Sequence, residues 1–323
     1  MALTKTKKKK RRPDHFRSKA YSTRKIQQED FSPEQVAAFK ELLLFDESIY
    51  LEHQQELVVG FDEVGRGSIA GPVCTGGFSC STFYQSPQEL LHEIKVARQV
   101  ISDQLLNTND RDSYYAETLI NDVSVADDLE QLSLLSSLLN LEDSKKVSKS
   151  KREKLTEALT QVPCLDNNSH LFYDINFESA KTIDNIGIVP SIWLSMTRNL
   201  IKIIDQYYDA NFQLPQEITL LVDGPKTIAS ITETITRLKP EYREIKLTQI
   251  AIKKGDSKSS LIAAASNLAK LKRDQYMEEL ALKTKNDYGW STNVGYGTKR
   301  HYEAIKNYGT HKEHRSSYLS SLA

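Results

Sequence analysis

The sequence predicts an α/β protein in which a mixed sheet is flanked by helices and followed by a C-terminal helical segment. Short apolar runs bounded by polar turns alternate with longer stretches of helical spacing. Three of those runs, ending at Phe61, Val222 and Ile252, are each followed within a few positions by an acidic residue. Two of the helical stretches open on the same Ser-Pro start, at Ser32-Pro33 and Ser86-Pro87.

The elements follow in order. Residues 1–30 form a basic tail; its first 25 residues hold eleven Lys/Arg against one acid, Asp14, leaving 32 basic and 42 acidic residues for the rest of the chain. The run Lys7–Arg12 repels itself into disorder and attracts polyanions, and nucleic acid, an anionic surface and a nuclear localisation signal are all compatible with it. A helix spans residues 31–56: Ser32 suits the cap, Pro33 the first turn, Gln35 a capping box, and Phe31 can staple to Val36. One domain then covers 57–323, beginning with strands at Leu57–Phe61 and Pro72–Ser79. From about 85 to 140 a helical, acidic insertion is expected. Between Asp103 and Glu142 it carries nine acids and one base, Arg111, so it faces away from any polyanion. Further strands are expected at Ile218–Val222 and Glu244–Ile252, and an amphipathic helix from Ser257 through Arg273 toward Lys283. The segment beyond Trp290 is polar, aromatic and punctuated by glycine, like a substrate-facing lid.

With 323 residues and 39% hydrophobic content, the chain can bury one substantial core. Cys74, Cys80 and Cys164 form neither a CxxC pair nor a disulfide framework, so buried thiols in a reducing compartment are expected. No apolar stretch reaches the roughly 18 residues that span a bilayer, and no signal-peptide core is present. A cytoplasmic monomer without a membrane partner is expected.

Gly60-Phe61-Asp62-Glu63-Val64-Gly65-Arg66-Gly67 sets two carboxylates at the end of a buried run, where open α/β sheets place their sites. Asp223 repeats that arrangement after Val222, and Asp256 follows Ile252 through Lys253-Lys254-Gly255. Two carboxylates about 4 Å apart repel by roughly 4 kcal/mol at an effective dielectric near 20. Divalent cations remove that repulsion, and oxygen ligands without histidine or cysteine favour Mg²⁺ or Mn²⁺ over zinc. Two such ions can hydrolyse a phosphodiester. Arg66, Lys145, Lys146, Lys253, Lys254, Lys258, Lys270 and Arg273 lie near these acids and supply charge for phosphate.

These motifs, with Ala70-Gly71-Pro72-Val73, Asp143-Ser144-Lys145-Lys146, Ala264-Ala265-Ser266, Ala269-Lys270, Arg273-Asp274, Gly295-Tyr296-Gly297-Thr298, His301 and His314-Arg315-Ser316, resemble in order those of bacterial ribonuclease HII. The resemblance spans residues 57–318. It implies a ribonuclease H-like fold and endonucleolytic cleavage of the RNA strand of RNA/DNA hybrids, including single ribonucleotides embedded in duplex DNA. Through it, Asp62, Glu63, Asp223 and Asp256 match the catalytic and metal-binding acids. Gly65, Arg66 and Gly67 match a loop that senses the ribose 2′-hydroxyl, and Tyr296 a ring that packs on the sugar. Lys145 and Lys146 resemble substrate contacts.

The chain departs from the usual pattern at Gly187, Asn267 and Asn293-Val294, none of which touches the four acids. Gly65-x-Gly67-x-x-Ala70 also fits a loose dinucleotide-binding pattern, but Gly71-Pro72-Val73 reads as extended where such a turn needs a helix. A non-catalytic nucleic-acid binder is the other rival reading. Related ribonuclease HIII proteins usually lack an arginine at the place of Arg66, so the resemblance favours HII.

Overall fold

Strands β1 (Leu57–Val64), β2 (Val73–Cys80), β3 (Leu171–Glu178), β4 (Glu217–Asp223) and β5 (Lys246–Ile252) form one sheet in the spatial order β3-β2-β1-β4-β5. The computed structural model describes residues 33–53, 57–96, 137–141, 148–161, 170–211 and 213–320. The basic tail, Phe31, Ser32, most of the acidic insertion, the Asp143–Lys146 motif and Cys164 lie outside them. β1 runs antiparallel to β2 and β2 to β3, whereas β1, β4 and β5 are parallel. This is the mixed sheet that the sequence predicts, and it brings the carboxyl ends of β1, β4 and β5 to one edge. No helix among the described residues is long and apolar enough to cross a membrane.

Alternation along β1 divides the core. Val58 joins one cluster with α1 (Pro33–His53) and α7 (Ser260–Lys283), while Leu57, Val59 and Phe61 join the other with α5 (Ile188–Asn211). The remaining helices are α2 (Ser81–Gln85), a helical stretch over 87–96, α3 (Lys149–Gln161), α4 (Ala180–Ile186), α6 (Ile231–Leu238), α8 (Trp290–Asn293) and α9 (Lys299–Tyr308).

Helix α7 lies directly on β1 and β2 because those strands carry glycine beneath it. A Cβ on Gly60 would stand 2.4 Å from the Leu261 carbonyl carbon, and one on Gly76 2.3 Å from the Ala265 oxygen. Two groups fix its start. Ser259 caps it by accepting from the Ile262 N–H at 3.2 Å, and Asp46 of α1 accepts from the Leu261 N–H at 3.1 Å. Burial raises the Asp46 carboxyl to about 6, against those hydrogen bonds.

Several expectations change here. β1 continues to Val64, so Asp62 and Glu63 sit inside the strand, paired with Gly76 and Thr75 of β2. Helix α7 is buried on every side from Ser260 to Ala269 instead of amphipathic there. β3 and α5 were not anticipated. The C-terminal segment has a core of its own, where Ile69, Met277, Tyr288, Trp290, Ala304 and Ile305 pack together. No helix follows Gly65; the chain turns into β2, which removes the dinucleotide-binding reading. Cys74 and Cys80 are buried free thiols, as expected.

Candidate active site

Asp62 lies on the face of β1 that carries α7, in line with Gly60 and Val64. Only 7% of it is exposed. Its Oδ1 accepts from the Glu63 N–H at 2.7 Å, and the Ser266 side chain of α7 adds a hydrogen bond. Because Phe61 pairs with Val222 across parallel strands, Asp62 is carried alongside Asp223, the last residue of β4. Burial pushes the Asp62 carboxyl well above its ordinary range, and the charges of Glu63 and Asp223 push it further. Glu63 is raised by burial and opposed by Arg66, whose Nη1 stands 3.1 Å from its Oε1.

Asp223 Oδ1 accepts from the Gly255 N–H at 2.6 Å. That bond ties the end of β4 to the 3₁₀ turn Gly255–Ser257, on which Asp256 stands half-buried. Lys254, before the turn, has φ 56°, and a Cβ on Gly255 would stand 2.5 Å from Ile262 Cδ1. The turn is thus wedged against α7. The charge of Asp223 reaches both Asp62 and Glu63, and Asp256 is the residue after the one bonded to Asp223. Among the described residues no three His, Cys, Asp or Glu side chains stand together as a ready metal-binding group. Lys145 and Lys146 lie outside the described residues.

The loop after β1 is built around Arg273. Gly65 has φ 89°, and a Cβ there would fall 2.0 Å from Arg273 Nε, so only glycine fits. Arg273 is fully buried: Nε donates to the Pro72 carbonyl (3.0 Å), Nη1 to that of Val294 (2.9 Å) and Nη2 to Ser68 Oγ (2.9 Å). The Gly295 carbonyl accepts from the N–H groups of Ile69 and Ala70, at 2.9 and 3.1 Å. The Arg66 carbonyl accepts from Arg315 Nη1 at 3.1 Å and the Tyr318 hydroxyl at 3.0 Å. The Gly65–Gly67 loop and the Gly295–Gly297 loop are therefore one knitted unit. Tyr296 stands over it, 40% exposed, its ring centroid 5.8 Å from the Arg273 guanidinium.

Two sequence readings need correction. Arg273 does not face phosphate, since its donors are spent on backbone and Ser68. Lys270 is half-buried and bonded to Asp274 at 2.6 Å, so it is not a free phosphate contact. Ser266, Ala269, Arg273 and Met277 recur at helical spacing, which places Arg273 on the buried stripe of α7 and could have revealed its role. Arg315, Tyr318 and Ser68 were not read as scaffold; nothing in local spacing points to them. By contrast Lys253, Lys254 and Lys258 are exposed around the ends of β4 and β5, as expected.

A family model described as ribonuclease HII matches residues 123–320. The ribonuclease HII of Staphylococcus aureus (strain Newman) is 29% identical over 280 residues, covering 87% of this chain and 76% of the relative; the protein of strain JH1 matches to the same extent. The family model begins beyond Gly60–Gly67, but an aligned span that covers 87% of the chain cannot leave that motif out. Among solved structures, a chain of the PCNA:RNase HII complex from Archaeoglobus fulgidus is 20% identical with a TM-score of 0.45, covering 80% of this chain and 93% of that one. The ribonuclease H2 of Pyrococcus horikoshii OT3 is 22% identical with a TM-score of 0.42, covering 81% and 93%.

Proposed function

The chain belongs to the ribonuclease HII family, nucleases acting on RNA/DNA hybrids, and we propose that it also cuts at single ribonucleotides in duplex DNA by two-metal-ion hydrolysis at Asp62, Glu63, Asp223 and Asp256. The observation that carries this reading is that Asp62 and Asp223 stand side by side at the carboxyl ends of adjacent parallel strands, where burial and the charges of Glu63 and Asp223 raise the Asp62 carboxyl. Arg66 is bonded to Glu63, and its side chain is 57% exposed, so it offsets the repulsion among the acids only weakly. The donors are carboxylate oxygens, which fit Mg²⁺ or Mn²⁺. Bound by these acids, such cations would supply the charge that makes a water nucleophilic and steadies the leaving oxygen.

The chain's own residues do the rest. Asp62 and Asp223 are held in place before substrate arrives, the first by Ser266 and the Glu63 amide, the second by the Gly255 amide. That pre-organisation places charge where charge develops in the reaction. The Gly65–Gly67 backbone meets the ribose 2′-hydroxyl, the group that distinguishes RNA from DNA. A Cβ at Gly67 would find nothing within 4 Å, which leaves the loop open to an approaching sugar. Tyr296, backed by Arg273 on one side, offers its other side to the sugar at the junction.

A duplex DNA carrying one ribonucleotide tests the proposal. In Mg²⁺ or Mn²⁺ the chain should cut on the 5′ side of the ribonucleotide and leave a 3′-hydroxyl, while Asp62→Asn and Asp223→Asn should fail. Equal cleavage by the wild type and both variants would refute it.

A further inference from the structure

Three of the chain's seven histidines lie among its last 23 residues and gather around Trp290 and Tyr288. His301 is fully buried and His314 is 3% exposed. An imidazole without partners is costly to bury, and an apolar ring would fill the space as well. Here both imidazoles are fully engaged.

The partners fix the His301 tautomer. His301 Nδ1 stands 2.9 Å from the Tyr296 carbonyl, which can only accept, so Nδ1 carries the hydrogen. Nε2 of the neutral ring is then an acceptor, and it receives the Trp290 indole N–H at 3.0 Å. His314 Nε2 stands 3.1 Å from the same atom. His314 Nδ1 stands 2.7 Å from the His311 nitrogen and 3.2 Å from the His311 carbonyl oxygen. Burial favours the neutral rings, lowering His301 and bringing His314 down to about 4.

The network runs inward from His311 and ends on one atom, the carbonyl oxygen of the residue whose ring stands exposed over Arg273. The turn around that atom is otherwise held by short-range bonds. The Thr298 N–H reaches the Tyr296 carbonyl at 2.9 Å, and the Tyr296 N–H reaches the Asn293 carbonyl at 2.9 Å. His301 also belongs to the first turn of α9, its N–H bonded to the Thr298 cap at 3.3 Å. It therefore links the Tyr296 turn to a helix and to a buried tryptophan. A tyrosine side chain pivots on its backbone, so a fixed carbonyl limits where the ring can stand.

We propose that His301, with its tautomer set by the Tyr296 carbonyl and Trp290, is a positioning residue that holds Tyr296 in the pose in which its ring meets the sugar. The proposal rests on the reading that Tyr296 touches substrate. His301 itself touches none.

The test measures kcat and KM of the full chain on single-ribonucleotide duplex DNA in Mg²⁺, with thermal melts of each variant. His301→Phe keeps an aromatic ring and removes the donor. Its kcat/KM should fall roughly ten-fold or more, as the Tyr296 ring loses its pose against the sugar in the transition state. His301→Asn places an amide N–H near the former Nδ1, so it should recover most of that loss at a melting temperature close to that of His301→Phe. In a Tyr296→Ala background, His301→Phe should lower activity no further. A loss of equal size in that background, or no difference between His301→Phe and His301→Asn, overturns the proposal. Full activity of Tyr296→Ala alone overturns the underlying reading together with it, whereas an impaired Tyr296→Ala beside an unimpaired His301→Phe removes the positioning role alone. Should His301→Phe not fold, Trp290→Phe removes the indole N–H together with one ring of the indole, and its thermal melt is read beside its activity. That variant must then lower kcat/KM several-fold in wild type and not in Tyr296→Ala.

Discussion

Two glycines on either side of Asp62 separate what folding needs from what substrate needs. At Gly60 an added Cβ would stand 2.4 Å from the Leu261 carbonyl carbon and 2.5 Å from the Ile262 nitrogen. Both are backbone atoms, so relief requires α7 to move off the sheet by about 1 Å to reach ordinary contact near 3.4 Å. Overpacking of that kind costs about 1–3 kcal/mol. Gly60→Ala should therefore lower the thermal midpoint by several degrees, at roughly 2 °C per kcal/mol for a chain of this length. Moving α7 also draws Ser266 away from Asp62, so activity should fall with stability. At Gly67 the added Cβ meets nothing within 4 Å, and its φ is not in the left-handed region. Gly67→Ala should leave the midpoint within about 0.5 kcal/mol of wild type. Its kcat/KM on a single-ribonucleotide duplex should nevertheless fall roughly ten- to a hundred-fold, because the methyl keeps the 2′-hydroxyl from the backbone. Paired melts and cleavage assays decide the matter. A fully active Gly67→Ala would refute the ribose-sensing role of this loop, and an unshifted Gly60→Ala would refute the close seating of α7.

Asp62→Asn should abolish cleavage yet raise stability at neutral pH. Burial and the neighbouring acids raise the native carboxyl of Asp62, so ionising it costs stability as pH rises through its native value. The gain in denaturation midpoint should shrink as pH falls; a variant less stable than wild type at pH 8 would contradict this. His314 works in the opposite sense. Its native value of about 4 lies below the unfolded 6.5, so stability is complete above pH 6.5 and is lost as pH falls toward 4, by about 3 kcal/mol at most. Urea midpoints between pH 7.5 and 4.5 should fall less steeply in His314→Gln; parallel slopes would count against it. Val294 has φ 41° and ψ 37°, a conformation that costs a β-branched residue about 1–3 kcal/mol, whereas asparagine tolerates it. Val294→Asn should raise the midpoint, and a lower one would disprove the strain. Deleting residues 1–25 should weaken hybrid binding and flatten its dependence on salt, because eleven basic residues leave with them; an unchanged salt slope would show that the tail does not meet the duplex.

What was legible in the chain follows from how far each feature depends on distant residues. β1 and β4 announce themselves as apolar runs because they are interior strands, while the edge strand β5 shows only the short run Ile250-Ala251-Ile252; the acids at or just after their ends mark the site edge without any tertiary knowledge. β3 was missed although Leu171, Tyr173, Ile175 and Phe177 alternate with Phe172, Asp174, Asn176 and Glu178. As a half-buried edge strand, it shows period two and no continuous apolar run. Helix α5 likewise carried its signal in Ile192, Met196, Leu200, Ile203 and Tyr207, at helical spacing. Arg273 and Arg315 are a different case. A basic residue near an acidic motif reads as a phosphate contact, and only the folded chain shows that their donors end on the carbonyls of residues 66, 71, 72 and 294. Those carbonyls belong to loops that have left the sheet and lack ladder partners. A buried guanidinium with five donors is the side chain that can satisfy several of them at once. Two cations at the heart of a nucleic-acid enzyme thus hold loops rather than phosphates. Mutating either to lysine should disturb the Gly65–Gly67 and Gly295–Gly297 loops together, since a single ammonium cannot span the carbonyls that each guanidinium joins.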